Sequence, residues 1–157
     1  MQNGLAKNTT LCYIEKDGCY LMMHRTKKSF DENKDKWIGV GGKFLFGESP
    51  FDCVKREVFE ETSLQNLTYK YRGIVTFVSD VFGTEYMHLF TATGVKNNVD
   101  FNCKEGELCW VNKDEVLSLN LWQGDKIFLD LLTKNVGFFS LKLVYQGDNL
   151  ISHVIDF

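Results

Sequence analysis

Short apolar runs, none longer than five residues and broken by charged or Gly-containing turns, set the pattern along the chain. Residues 11–14 and 19–24 are two β-prone runs separated by Glu15-Lys16-Asp17-Gly18, and Asp-Gly between such runs predicts a hairpin. The polar stretch 25–36 reads as a loop, and residues 37–40 resume as a short strand that stops at Gly41-Gly42. Ser49-Pro50 then opens a helix, with Ser as N-cap, Pro in the first turn and Asp52 at the capping-box position, running to about Thr62. Period-two patterns predict strands at 71–78, 85–93 and 107–111. Ile127, Leu131 and Leu132 against Asp125, Lys126 and Asp130 predict a second helix over 125–133, and two strands, 138–145 and 149–154, flank Gln146-Gly147-Asp148. Strands mixed with two helices give the class α/β (α+β).

Composition narrows the picture. A chain of 157 residues with no internal repeat or long linker is expected to form one domain, 1–157. Eighteen basic against 21 acidic side chains leave a net charge of −3, which argues against a charge-driven nucleic-acid polymer or anionic membrane as partner. No apolar run approaches a membrane span, and the first residues lack the charged-then-apolar pattern of a secretion leader. Five scattered cysteines without a Cys-x-x-Cys pair fit neither a disulfide framework nor a zinc site, so reduced thiols and a cytoplasmic location are expected. Cys53 and Cys109 are expected to be small apolar fillers.

The chemistry concentrates in residues 42–64, GKFLFGESPFDCVKREVFEETSL. At about 100° per residue, with Glu57 at zero, Glu60 falls near about 300° and Glu61 near about 40°, so three carboxylates share an arc of roughly 100°. Phe51, Val54 and Val58 form the expected core stripe beside that arc. Grouped carboxylates repel unless a positive charge intervenes, and Arg56, four residues before Glu60, offsets only one of them. A divalent cation accounts for the remainder, and oxygen-only donors favour Mg²⁺ or Mn²⁺. On charge pattern alone, a solvated acidic helix face accounts for the same residues equally well.

The segment resembles the Nudix box. Gly42, Glu48, Arg56, Glu57, Val58, Glu60, Glu61 and Leu64 stand at its fixed spacings, and Ser63 replaces its final Gly, a position at the turn that ends the helix. The resemblance implies an α/β/α sandwich with a mixed sheet and hydrolysis of a nucleoside diphosphate linked to another group. It implies that Glu57, Glu60 and Glu61 hold Mg²⁺ and that Glu60 or Glu61 serves as general base. It also implies that Arg56 orients the carboxylates and that Glu48 is an accessory ligand or a loop-fixing group. Gly41, Gly42 and Lys43 are candidate phosphate contacts.

Trp37-x-Gly39-x-Gly41-Gly42-Lys43, Cys109-Trp110, Trp122-x-x-Asp125 and Tyr145-Gln146-Gly147 are similar to the MutT-like triphosphatases that clear oxidised purine nucleotides. In that group, Trp122 would stack a purine such as that of 8-oxo-dGTP and Asp125 would meet its edge, while Phe77 and Phe82 are candidate pocket walls. Glu105 or Glu107 would supply a further catalytic carboxylate, Glu105 being preferred. Two positions depart from the pattern: Ile38 stands where an enzyme of this group has a base-reading Asn, and Gly124 where it has the first of two adjacent Asp residues. The implied activity is hydrolysis of purine nucleoside triphosphates to monophosphate and pyrophosphate by a monomer or homodimer. A dinucleotide polyphosphate, nucleotide sugar or capped RNA as substrate, or nucleotide sensing without turnover, are the alternatives.

Overall fold

The computed structural model describes residues 5–28, 31–134 and 136–157. Eight strands run β1 (Lys7–Lys16), β2 (Cys19–His24), β3 (Trp37–Ile38), β4 (Thr68–Ser79), β5 (Gly83–Thr93), β6 (Glu107–Asn112), β7 (Phe139–Gln146) and β8 (Asn149–Asp156), with helices α1 (Pro50–Thr62) and α2 (Gln123–Thr133). The expected elements are all present, most of them a few residues longer than their apolar cores, except that β3 ends at Ile38 instead of residue 40, because Val40 has left β2 to bridge Cys12 of β1. α2 begins two residues before Asp125.

The sheet is mixed, in the order β3-β2-β1-β5-β4-β7-β8, with β6 pairing β2. β1 and β5 are parallel, as are β4 and β7, while β4–β5, β7–β8 and β2–β6 are antiparallel. β1 keeps its hairpin partner β2 only at Glu15↔Tyr20 and Lys16↔Cys19. Below that point the vacated edge of β1 is taken by the segment 40–43, through bridges Cys12↔Val40 and Thr9↔Lys43.

Alternation along β1 separates two cores. Leu11 and Tyr13 pack with Leu89, Leu141, Leu143 and the α2 residues Phe128, Leu129 and Leu132. Cys12 and Ile14 face the opposite side, with Phe90 and the α1 residues Val54 and Val58. One helix thus covers each face, giving an α/β/α sandwich.

In α1, Ser49 accepts from the Asp52 backbone and Asp52 reciprocates to the Ser49 N–H, closing the capping box with Pro50 in the first turn. Its buried stripe differs from the expected one. Cys53, Val54, Val58 and Thr62 are buried, while Phe51 is 40% exposed and sits edge-on to Phe90. The stripe is therefore shifted so that Glu57 and Glu61 lie within it, while Glu60 falls just outside its edge beside Cys53. Cys53 is buried against Thr10, but Cys109 is exposed on β6, so only the first is a core filler.

Candidate active site

The 40–43 segment lies so tightly on its neighbours that side chains are excluded at two glycines. A Cβ on Gly41 would stand 2.0 Å from the Thr10 carbonyl oxygen, and one on Gly42 would stand 2.5 Å from the Glu57 carboxyl carbon. The second absence opens the space into which α1 projects Glu57. The Gly41 N–H, freed from sheet pairing, donates to Glu61 Oε2 at 3.0 Å.

Arg56 organises the carboxylates. Its Nε donates to Glu48 Oε2 at 2.8 Å and its Nη2 to Glu48 Oε1 at 2.9 Å, a bidentate fork. Nη1 reaches Glu57 Oε1 at 2.8 Å and Glu60 Oε2 at 3.2 Å, and Nη2 also donates to the Lys43 carbonyl at 2.9 Å. Glu48 Oε1 further accepts from the Leu45 N–H at 2.7 Å, so this side chain ties the loop to the helix, and its pKa is held below the usual range by Arg56 and that amide.

Electrostatics separate the three helix carboxylates. Glu61 is pushed up to about 9 by burial, then by the charges of Glu105 and Glu57. Burial likewise raises Glu57, against the pull of Arg56. Glu60 is 56% exposed and meets only Arg56 among the described residues. Across from α1, Glu105 is bound by Arg25 Nη1 and Lys28 Nζ, each at 3.0 Å, and Arg25 Nε is held by Asp31 at 2.7 Å. Glu107 is exposed at the start of β6, outside this network.

A cleft of about 930 Å³ runs from these groups along the α2 face of the sheet. One end is lined by Gly41, Gly42, Lys43, Glu57, Arg25, Lys28 and Glu105. The other is lined by Ile38, Phe77, Phe82, Glu85, Met87, Trp122, Asp125 and Tyr145. Trp122 packs edge-on to Tyr145 at 5.4 Å, donates Nε1–H to Asn33 Oδ1 at 2.9 Å, and carries Lys36 Nζ over its ring at 5.0 Å. Asp125, in the first turn of α2, is only 2% exposed, and its Oδ1 has no hydrogen-bond partner among the described residues. Burial, with the nearby Glu85 charge, pushes it up to about 8. Gly124 leaves no room for an acidic side chain: a Cβ there would meet Leu143 Cδ1 at 2.5 Å and the Tyr145 hydroxyl at 2.7 Å, and that hydroxyl accepts from the Gly124 N–H.

Glu48, Arg56, Glu60 and Glu61 surround the first end without lining the cleft. No three Asp, Glu, His or Cys side chains among the described residues converge as ligands for one ion. The donor set nevertheless suits a hard divalent cation, because Glu57, Glu61 and Glu105 are oxygen donors whose like charges oppose one another, and the Gly42 gap gives Glu57 its approach. Sequence reasoning missed Arg25, Asn33, Lys36 and Glu85. For Glu85 a signal was available, since it shares strand parity with buried Met87 and Leu89.

The sequence profile described as NUDIX domain matches residues 6–132. The chain belongs to the Nudix family. It is similar to an uncharacterized Nudix hydrolase, YvcI, of Bacillus subtilis (strain 168), 26% identical over 96% of this chain and 94% of that one. An oxidized purine nucleoside triphosphate hydrolase of Mus musculus is 29% identical over 120 residues, covering 75% of this chain and 76% of that one. The crystal structure of a MutT protein from Bacillus halodurans superposes with a TM-score of 0.84 at 26% identity, covering 96% and 97% of the two chains. This Nudix chain is therefore a MutT-like hydrolase, of a family that generally uses divalent metals and acts on small nucleotide substrates. No helix among the described residues is long and apolar enough to cross a membrane.

Proposed function

We propose that this Nudix hydrolase cleaves purine nucleoside triphosphates, including those with oxidised bases such as 8-oxo-dGTP, to the monophosphate and pyrophosphate with Mg²⁺. The observation that carries the reading is one cleft with two unlike ends, Glu57 and Glu105 at one and Trp122 and Asp125 at the other. Glu57, Glu60 and Glu61 would hold the cation, with Glu48 fixing the loop beside them. The bound ion would screen phosphate charge and acidify a water.

The protein's own groups do the remaining work. Arg25, Lys28 and Lys43 offer positive charge to a polyphosphate at the cleft wall. Gly41 and Gly42 let the chain backbone approach it. Trp122 presents an indole face to the base, and Asp125 presents a buried oxygen without a partner to the base edge. Arg56 positions Glu57 and Glu60 and is itself a positioning residue. Glu60, at the margin of the helix, and Glu105, across the cleft, are the carboxylates available to take a proton from water.

The test is a nucleotide panel with Mg²⁺ or Mn²⁺, scored by kcat/KM and by products, against Glu60→Gln and Glu105→Gln. Pyrophosphate with monophosphate, reduced at least about 100-fold in one of the two variants, supports the reading. Absence of pyrophosphate from every purine triphosphate overturns it, and release of phosphosugar or of two nucleotides reassigns the substrate.

A further inference from the structure

Among the strand residues that line the base end of the cleft, Glu85 is the one acid. Glu85, Met87 and Leu89 alternate onto the same face of β5, and Met87 and Leu89 are 6% and 0% exposed. Glu85 is paired in register with Phe77 on β4, another residue of the cleft. A carboxylate on that face loses hydration, and a strand residue needed only for packing would be apolar. Thr9 Oγ1 donates to Glu85 Oε2 at 2.8 Å, and this is the one hydrogen bond the carboxyl receives among the described residues.

A second carboxyl reaches the same end from the opposite wall. Asp125 hangs from α2 with Oδ1 buried and without a hydrogen-bond partner among the described residues, and the Glu85 charge adds to burial in disfavouring its ionisation. Of the lysines whose charge reaches the pair, Lys36 lies over the Trp122 ring, Lys7 is 3.8 Å from Glu32, and Lys43 lines the cleft at its Gly41-Gly42 end. Two acceptor groups thus face a pocket with an indole wall, and what answers them is a flat ligand with adjacent donors.

We propose that Glu85 is a specificity-determining residue that reads the base together with Asp125, the two carboxyl groups taking the neighbouring ring N–H and amino donors of a guanine-type edge, oxidised at C8 or not. An adenine-type edge sets an acceptor nitrogen beside its amino group and would turn a lone pair toward an oxygen. A hypoxanthine-type edge lacks the amino donor and leaves one acceptor unfilled. The inference rests on the purine triphosphate reading but is tested apart from hydrolysis.

Calorimetry of the full chain with GMP, IMP and AMP, for wild type, Glu85→Gln and Glu85→Met, decides it. Wild type is expected to bind GMP at least about tenfold more tightly than IMP or AMP, the loss for one hydrogen bond to a charged group. Glu85→Met, and Glu85→Gln if the former fails to fold, should bring the GMP to IMP ratio within about threefold. A wild-type ratio near one, or a ratio unchanged in both variants, overturns the proposal and leaves Glu85 as a strut for Thr9. Discrimination of GMP without hydrolysis of any triphosphate would sink the proposed activity and leave this base reading standing.

Discussion

Gly41 and Gly42 are neighbours with different reasons to lack a side chain, and substitution should separate them. A methyl at 41 meets the Thr10 backbone, which cannot yield without disturbing β1. Gly41→Ala is expected to cost about 1–3 kcal/mol, read as a fall in Tm of several degrees. A methyl at 42 meets only the end of Glu57, a flexible side chain, which can swing away. Gly42→Ala should therefore keep Tm within about 3 °C and lower kcat at least about tenfold, because it moves a carboxylate aimed at the cleft. Equal loss of stability in the two variants would contradict this division. Ser63 offers the opposite test. It caps α1 in the left-handed region at φ 63°, where Glu-Glu-x-Gly sequences have glycine, so Ser63→Gly should raise stability by about 1 kcal/mol in thermal melts and leave activity unchanged. Trp122→Ala should raise KM more than it lowers kcat, since stacking acts in ground and transition states alike, and steady-state kinetics that show a loss in kcat alone would rule out base binding.

At the scale of the element, α1 works as a bracket whose tie is Arg56. One guanidinium joins Glu48 of the loop, Glu57 and Glu60 of the helix, and the Lys43 carbonyl. Lysine carries a charge but no fork, so Arg56→Lys is expected to lose about 10–100-fold in kcat/KM, with Arg56→Gln losing more, while circular dichroism stays native. If Lys restored full activity, the fork geometry would be irrelevant. The cap, length and carboxylate spacing of this helix were legible because they are local. Its exact buried face was not: Phe51 matches the apolar stripe in sequence, yet it lies edge-on over Tyr71 of β4 and Phe90 of β5 with 40% of its surface exposed, and the bare Gly42 leaves room for Glu57 on the packed side. The segment 25–36 shows the same limit more strongly. Its polar residues carry no periodicity, and its decisive contacts are distant, Arg25 to Glu105 across 80 positions and Trp122 to Asn33 across 89. Strand alternation made the two faces of the sheet readable, but which strands meet, including parallel β1–β5, depends on long-range pairing that no local pattern encodes.

Across the whole molecule, carboxyl groups in and beside the cleft favour the protonated state when folded, and this sets how stability should vary with pH. Glu61 and Asp125 are raised to about 9 and about 8, and Glu85 is raised by burial. In the unfolded chain such groups titrate near about 4, so between that pH and the folded values the native state binds more protons than the unfolded state. Stability contributed by these groups is full at the acidic end and declines as pH rises through the window. His88, lowered by burial, and Glu48 and Asp52, lowered by hydrogen bonds, act the other way, and their losses fall below about pH 6.5 and about pH 4.5. Without divalent cation, denaturation midpoints should therefore fall from about pH 6.5 to about pH 9. Mg²⁺ should restore the Glu61 share by favouring its ionised form, whereas Asp125 lies at the other end of the cleft and should be indifferent to the ion. Asp125→Asn should accordingly flatten the part of the slope below about pH 8 that Mg²⁺ leaves in place, by an amount on the order of a few kcal/mol. Chemical denaturation at four pH values, with and without Mg²⁺, measures both shares, and a metal-free curve that stays level across this range would show that the cleft carboxyls are not strained by folding.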